Sequence, residues 1–268
     1  MSFYTSLSGL KNAQTDLNVI AHNIANSETN GFKRSNTQFA DIVAGSAFTN
    51  PKMIQGIGST TEAIVQNFSI GPIELTGSAL DLAISGDGFF TTVSAVTGQT
   101  LFTRNGAFTL DEQGYIQDGS SNRLQIFEPG ADPAVDAPID ALIPATNAAG
   151  AAFAAVTVSA EGELAASYAD GSSTVIGTVA LATFVSAPGL KQVGSSNWQA
   201  TGLSGAPDYG FPGGGAYGGL LSGAIERSNV DIAEELVNLI TAQRYFQANA
   251  KAIDTATQIS QTVINLRT

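Results

Sequence analysis

The sequence predicts an α+β protein in which long helices at both ends of the chain pair with each other and the middle folds as β-structure. Three observations carry this. From Ile232 the seam Ile232, Leu236, Leu239, Gln243, Phe246, Ala250, Ile253, Thr257, Ser260, Ile264 steps alternately by 4 and 3, the spacing of paired helices. Leu7, Leu10, Gln14, Leu17, Ala21 and Ile24 repeat it near the start, with Phe3, Ala13 and Ile20 widening the stripe. All 9 prolines fall between Pro51 and Pro212, which leaves both ends free to be helical.

The C-terminal helix is expected to begin at an S-x-x-D signal, Ser228 and Asp231, with Glu234 and Glu235 loading its first turns and Arg267 suiting its far end. No Gly or Pro follows Gly223. The helix should therefore run for about 36 residues, roughly 54 Å, too long for a small domain to bury. Between Arg244 and Arg267 only Lys251 and Asp254 are charged, so its outer face suits packing on further copies more than it suits water.

After the first helix, Asn26, Asn30 and Gly31 should stop the helix and turn the chain. Phe39 to Val43 is a short amphipathic piece, and Gly45, Pro51, Gly56 and Gly58 break any regular helix after it. From Ile73 to Phe127 the chain reads as short strands: Leu82–Ile84, Phe89–Val93, Leu101–Thr103 and Phe108–Leu110. Gly86-Asp87-Gly88, Thr97-Gly98 and Asn105-Gly106 supply turns, the last as a hairpin signal. Gly86-Asp87-Gly88 lacks the third glycine and following helix of a nucleotide loop. Asp118-Gly119-Ser120 and Asp170-Gly171-Ser172 are hairpin tips and belong to no complete calcium loop. Residues 129–155, with four prolines and many alanines, read as a connector with little core of its own. Val156 to Phe184 returns to strands.

Composition narrows the function classes. The net charge of −12 argues against nucleic acid, and no 18-residue apolar run suggests a membrane span. Charged residues make up 13% against about 25% in an ordinary soluble domain. With no cysteine there are neither disulfides nor thiolate metal sites. The N-terminus has none of the features of a cleaved secretory signal. The single histidine, His22, reads as a helix-surface residue. No nucleophile, base or acid pair forms a catalytic constellation, so no catalytic residue, metal or cofactor is expected.

Two stretches at opposite ends resemble one family. Asn23-Ile24-Ala25-Asn26, followed by Thr29-x-Gly31-Phe32-Lys33-Arg34, is similar to the N-terminal signature of the bacterial flagellar rod and hook proteins. Glu226-x-Ser228-Asn229-Val230-Asp231, then Glu235-Leu236-Val237 and Ala242-Gln243-Arg244, resembles their C-terminal signature. Leu80–Phe90 and Thr103-Arg104-Asn105-Gly106 extend the resemblance over most of the chain, while His22 stands where the family has Asn. Phe39 and Val43 resemble a short motif for docking at the export gate.

The resemblance implies a structural subunit exported unfolded, without cleavage, by the flagellar type III apparatus. Subunits would polymerise into a helical tube of about 11 protofilaments that adjoins rod, hook-cap and hook–filament junction proteins. It also implies three parts: a coiled-coil domain of residues 1–30 and 226–268, a connecting region 31–72 that contacts neighbouring subunits, and a discontinuous β domain 73–225. The opening Met1-Ser2-Phe3, the run Gln66 to Gly77 and the ending Tyr245 to Arg267 look more like a hook protein, whereas 268 residues is the size of a rod protein. The hook is the favoured expectation and the rod the alternative. A soluble adhesin with a closed terminal bundle is the reading from another class.

Overall fold

The structure is a computed structural model describing residues 2–44 and 55–265, so Gly45, Pro51 and Arg267 lie outside the described residues. The chain forms two compact units, one of Met1–Ser27, Arg34–Asn67 and Val230–Thr268, the other of Glu28–Lys33 and Phe68–Asn229.

The first unit holds helix α1 (Ser2–Ala25), strands β1 (Ser35–Ala44) and β2 (Gln55–Gln66), and helix α2 (Ile232–Asn265). α1 has 24 residues and α2 has 34, about 36 and 51 Å long. They run antiparallel: Asn23 meets Glu235, and 14 residues earlier Gly9 faces Asn249 so closely that a Cβ on Gly9 would stand 2.7 Å from its Oδ1. Asp231 caps α2, its Oδ1 accepting the Ala233 and Glu234 amides at 2.8 and 3.2 Å. Capping therefore falls to Asp231 itself, not to Ser228 three residues earlier.

The expected helix seam is only partly the observed one. In α1, Ala13, Ile20 and Asn23 are buried, with Leu7, Leu10, Leu17 and Ile24 half-buried beside them. In α2 the inward row is Glu235, Leu239, Ala242, Phe246, Asn249, Ile253 and Ala256, again stepping by 4 and 3. Leu239, Phe246 and Ile253 belong to the expected seam, whereas Ile232, Leu236, Gln243 and Ile264 are exposed. Small residues explain the rotation. Gly9 on α1 makes room for the Asn249 side chain, Ala13 and Ala242 are buried, and Glu235 turns inward to polar partners, so the larger aliphatics point outward.

The stretch expected as a connector contains a long hairpin. β1 and β2 pair antiparallel from Ser35–Gln66 to Ala44–Gln55, with irregularities at Gln38/Phe39 and Ile42/Val43. The β2 strand is fastened to α1: Asn12 donates to Ser59 Oγ at 2.8 Å, and the Ser59 amide donates to Ser8 Oγ at 3.3 Å. Gly56 and Gly58 serve a strand rather than a loop. Gly58, at φ 140°, leaves room for Ser8, whose Oγ would lie 2.5 Å from a Cβ there.

The second unit is built of strands, with one short 3-10 turn at Ala187–Gly189. Its first strands are β3 (Ile73–Leu75), β4 (Leu82–Ser85), β5 (Phe89–Ser94), β6 (Thr100–Thr103), β7 (Thr109–Leu110), β8 (Ile116–Gln117) and β9 (Asn122–Phe127). Then come β10 (Ile139–Asp140), β11 (Phe153–Val158), β12 (Glu163–Tyr168), β13 (Ser173–Val179) and β14 (Leu181–Thr183). The last are β15 (Lys191–Gly194), β16 (Asn197–Gln199), β17 (Asp208–Gly210), β18 (Gly219–Ser222) and β19 (Ala224–Glu226). The main sheet runs β11-β12-β13-β9-β5-β6-β16-β15, while β4 pairs with β18 and β3 with β19. Its larger core gathers Leu82, Phe90, Leu124, Ile126, Leu164 and Leu181; a second, around Trp198, takes in Phe89, Phe102 and Leu190.

Two expectations change here. The alanine- and proline-rich stretch is not coreless: Ala141 and Ile143 are fully buried in the larger core, and β10 pairs with β9. Asn105-Gly106 does not close a hairpin, because β6 pairs with β5 and β16 while β7 pairs with β8. Glycine is required there for space, since a Cβ would lie 1.6 Å from the Leu82 carbonyl oxygen. Gly98, Gly119 and Gly171 do sit between paired strands, as the turn chemistry predicts.

Candidate functional site

Within the β unit, the N-terminal signature and the start of the C-terminal one meet around a single carboxylate. Glu226 ends β19 and is fully buried. Its Oε1 accepts Lys33 Nζ at 2.6 Å and the Gly71 amide at 2.8 Å, and its Oε2 lies 3.3 Å from Arg104 Nη1. The Lys33 ammonium also donates to the Ser69 carbonyl at 2.7 Å. Lys33 and Arg104 are themselves 0% and 2% exposed, so two cations share one anion out of water. Burial pulls both below their ordinary pKa, opposed in each case by the attraction of Glu226.

The backbone follows the same clasp. Gly31, at φ 65°, donates its amide to the Glu226 carbonyl at 2.8 Å. A Cβ on Gly31 would stand 2.4 Å from the Asn105 amide nitrogen, so only glycine fits this turn. Phe32 is buried, its amide reaching the Thr29 carbonyl at 3.3 Å. Arg227 lies outside the buried cluster, pairing with Glu28 at 2.8 Å and Glu74 at 2.9 Å and donating to Asn30 Oδ1 at 3.1 Å. Ser228 is buried, and Asn229 donates to the Ser69 carbonyl and hydroxyl, both at 3.1 Å.

The helical unit has its own polar core. Asn23 makes a two-way bond with Ser35, donating to its carbonyl at 2.8 Å and accepting its amide at 3.0 Å. The same amide group reaches Glu235 Oε2 at 3.3 Å. Arg34 donates to Glu234 at 2.9 Å, and its Nε lies 2.7 Å from Glu235 Oε1, an ion pair without the alignment of a hydrogen bond. Asn23 and Glu235 thus join the end of α1, the start of β1 and the first turns of α2.

Other residues singled out by sequence lie apart from both clusters. Asn26 closes α1, its side chain donating to the His22 carbonyl at 2.9 Å. Gln243 and Arg244 are exposed on α2, and His22 is exposed on α1. Phe39 and Val43 are exposed on β1. Glu226, Arg104 and Glu235 lie in family-like stretches, but the sequence alone assigns them no role. The signal that marks Glu226 is a carboxylate in the apolar run Ala224-Ile225-Glu226 of a chain poor in charge.

A contiguous outer face of α2 exposes Ile232, Leu236, Val237 and Ile240, and its last turns expose Ile259, Val263 and Ile264. Counting back from the Asn23–Glu235 and Gly9–Asn249 pairs, α1 begins opposite about residue 256, so among the described residues the last turns of α2 extend past the start of α1. This is a surface built to be covered. Among the described residues, no group of acidic and histidine side chains could hold a metal ion, and no helix is long and apolar enough to cross a membrane.

Comparison with known proteins gives the same answer from both ends. Residues 3–33 match the flagella basal body rod protein family, 83–166 the flagellar hook protein FlgE/F/G D1 domain, and 221–266 the flagellar basal body rod FlgEFG protein C-terminal family. The basal-body rod protein FlgG of Bacillus subtilis is 36% identical over 99% of this chain and 98% of its own length. FlgG of Agrobacterium fabrum is 32% identical over 95% of each. The flagellar hook protein FlgE of Salmonella typhimurium is 27% identical, with both chains fully covered in an alignment of 411 residues. With its two signatures meeting at Glu226 and relatives matching from end to end, this chain belongs to the flagellar basal-body rod and hook protein family, whose members are structural proteins of the flagellum.

Proposed function

We propose that this chain is a rod subunit, a segment of the stiff drive shaft, rather than a hook subunit. The observation that carries the reading is length. FlgG proteins align with this chain end to end at nearly equal size, whereas the alignment with FlgE runs to 411 positions, far beyond the 268 residues here. In sequence order, the strands β3 to β19 lie between α1 and α2. The hook, expected from the motifs at both termini, is the second reading, supported by full coverage in the FlgE alignment.

In either case α1 and α2 form the inner coiled-coil domain of a helical tube, of about 11 protofilaments by family likeness, and the β unit forms the shell outside it. The exposed faces of α2 are heterologous contacts, so the assembly is open-ended. The subunit reaches its place through the flagellar type III apparatus, with Phe39 and Val43 as the candidate export-gate motif. Adjoining rod, hook-cap and junction proteins are its neighbours. Most helical stability comes from packing an apolar face, and much of the apolar surface of α2 is left for neighbouring copies to cover, so α1 and α2 become ordered on assembly.

Electron microscopy of basal bodies from cells lacking this gene tests the assignment. A rod truncated within the periplasm supports the rod reading. A complete rod with rings and no hook overturns it in favour of the hook.

A further inference from the structure

Asn30-Gly31 and Asn105-Gly106, both of the chemically labile Asn–Gly type, sit against each other in the β unit, Gly31 packing on the Asn105 backbone. The two are held differently. Asn105 lies between strands of the folded sheet: its Oδ1 accepts the Ala107 amide at 3.2 Å, and the Gly106 carbonyl accepts the Leu82 amide at 2.9 Å. Asn30 belongs to a six-residue segment, Glu28–Lys33, that joins the unit separately from the rest of it, Phe68–Asn229. The clasp at Glu226, the contacts of Arg227 and Ser196, and the Asn229 amide on the Phe32 carbonyl at 3.4 Å hold it there.

We propose that Asn30 is a covalent ageing site, inert while residues 28–33 are docked on the β unit and converted to aspartate or isoaspartate when that docking opens. The reaction needs the Gly31 amide nitrogen as nucleophile and the Asn30 side-chain carbonyl as electrophile. In the docked state the electrophile is polarised by Arg227 Nη1 at 3.1 Å, but the nucleophile is held by the Glu226 carbonyl at 2.8 Å. That hydrogen bond and the fixed turn keep the nitrogen from reaching Cγ. On opening, the Gly31 nitrogen gives up its proton and bonds to Cγ of Asn30, the Cγ–Nδ2 bond breaks, and ammonia leaves. Water then opens the resulting succinimide at either carbonyl.

The product cannot dock as before. Isoaspartate adds a methylene to the backbone between residues 30 and 31 and moves the Gly31 amide away from Glu226. Either product places a new carboxylate near Glu28 and Glu74, which already share Arg227. A subunit that lingers with this segment open therefore loses the clasp irreversibly.

Peptide mapping by mass spectrometry tests this on the full-length chain. Wild type, Lys33→Met and wild type in urea are incubated at neutral pH and 37 °C, and conversion at Asn30 and Asn105 is followed together. The expected result is conversion of Asn30 at least about tenfold faster in Lys33→Met than in wild type, with Asn105 unchanged, because loss of the buried pair opens the segment locally. Both sites convert in urea. Equal rates at Asn30 in native and urea-unfolded wild type would show that docking protects nothing. Equal acceleration of Asn105 and Asn30 in Lys33→Met would show that only global unfolding matters. Each of these two results overturns the proposal, as does an Asn30 that stays intact in urea.

Discussion

Replacing Glu226 by Gln keeps the shape of the buried clasp and removes the carboxylate that Lys33 and Arg104 share. Lys33 at 0% exposure and Arg104 at 2% would then lose the carboxylate they share, with Lys33 Nζ still 2.7 Å from the Ser69 carbonyl. Breaking a buried ion pair by removing one partner costs about 3–5 kcal/mol, most of it the desolvation of the stranded charge. With a urea m-value of about 2 kcal/mol/M, a loss of about 4 kcal/mol lowers the unfolding midpoint by about 2 M. Trp198, the only tryptophan, reports the transition: it is fully buried and packs edge-on against Phe68 at 5.4 Å and Phe89 at 5.9 Å in the same unit. Replacing all three charges together by Met, Met and Leu should recover most of the loss, because no charge is then left buried alone. A midpoint shift for Glu226→Gln below about 0.5 M would refute the clasp as a determinant of β-unit stability.

Gly31→Ala should destabilise the β unit by more than about 2 kcal/mol in the same urea assay, since it combines a left-handed turn with a backbone collision. Leu236→Asp, at a position 47% exposed on α2, should leave the Trp198 transition within about 0.5 kcal/mol of wild type yet abolish polymerisation read by light scattering. Asp170→Ala should show its effect only away from acid. Hydrogen bonds from the Ser172 hydroxyl and amide, and then from Asn147, hold the Asp170 carboxyl below its ordinary pKa of 3.8. A depressed folded pKa means that the unfolded chain binds the proton first. The stabilisation is therefore present above the unfolded value and lost as pH falls through the folded one. Urea midpoints of wild type and Asp170→Ala should differ at neutral pH and converge in acid; a gap that persists unchanged in acid would contradict the assignment.

Much of the architecture was legible in the sequence because it rests on local rules. The 3,4 spacing, the absence of proline from both ends and the Asp-Gly tips each act over a few residues, and the helices and several hairpins lie where those rules place them. What was not legible depends on distant partners. Nothing near Ser35 or Gln66 announces that these residues open and close one long hairpin, since exposed Phe39, Ile42 and Val43 read equally well as an amphipathic piece. The rotation of α2 onto Ala242 rather than Leu236 depends on the other helix, where Gly9 leaves room for the Asn249 side chain, and the glycine at 106 is dictated by the Leu82 carbonyl. The clasp was half visible. Lys33 and Glu226 both stood in quoted motifs, but their pairing at 2.6 Å spans 193 residues and no periodicity reports it.

The central claim is that this chain forms the rod segment of the flagellar axis. The most direct measurement is a cryo-electron-microscopy reconstruction of isolated basal bodies from cells whose copy of this chain carries a small exposed tag at Gly171, the tip of the β12–β13 hairpin. The account predicts tag density spiralling along the rod, inside the envelope, on a shell outside paired helices. Tag density confined to the curved segment outside the cell would contradict it and make the chain a short hook subunit.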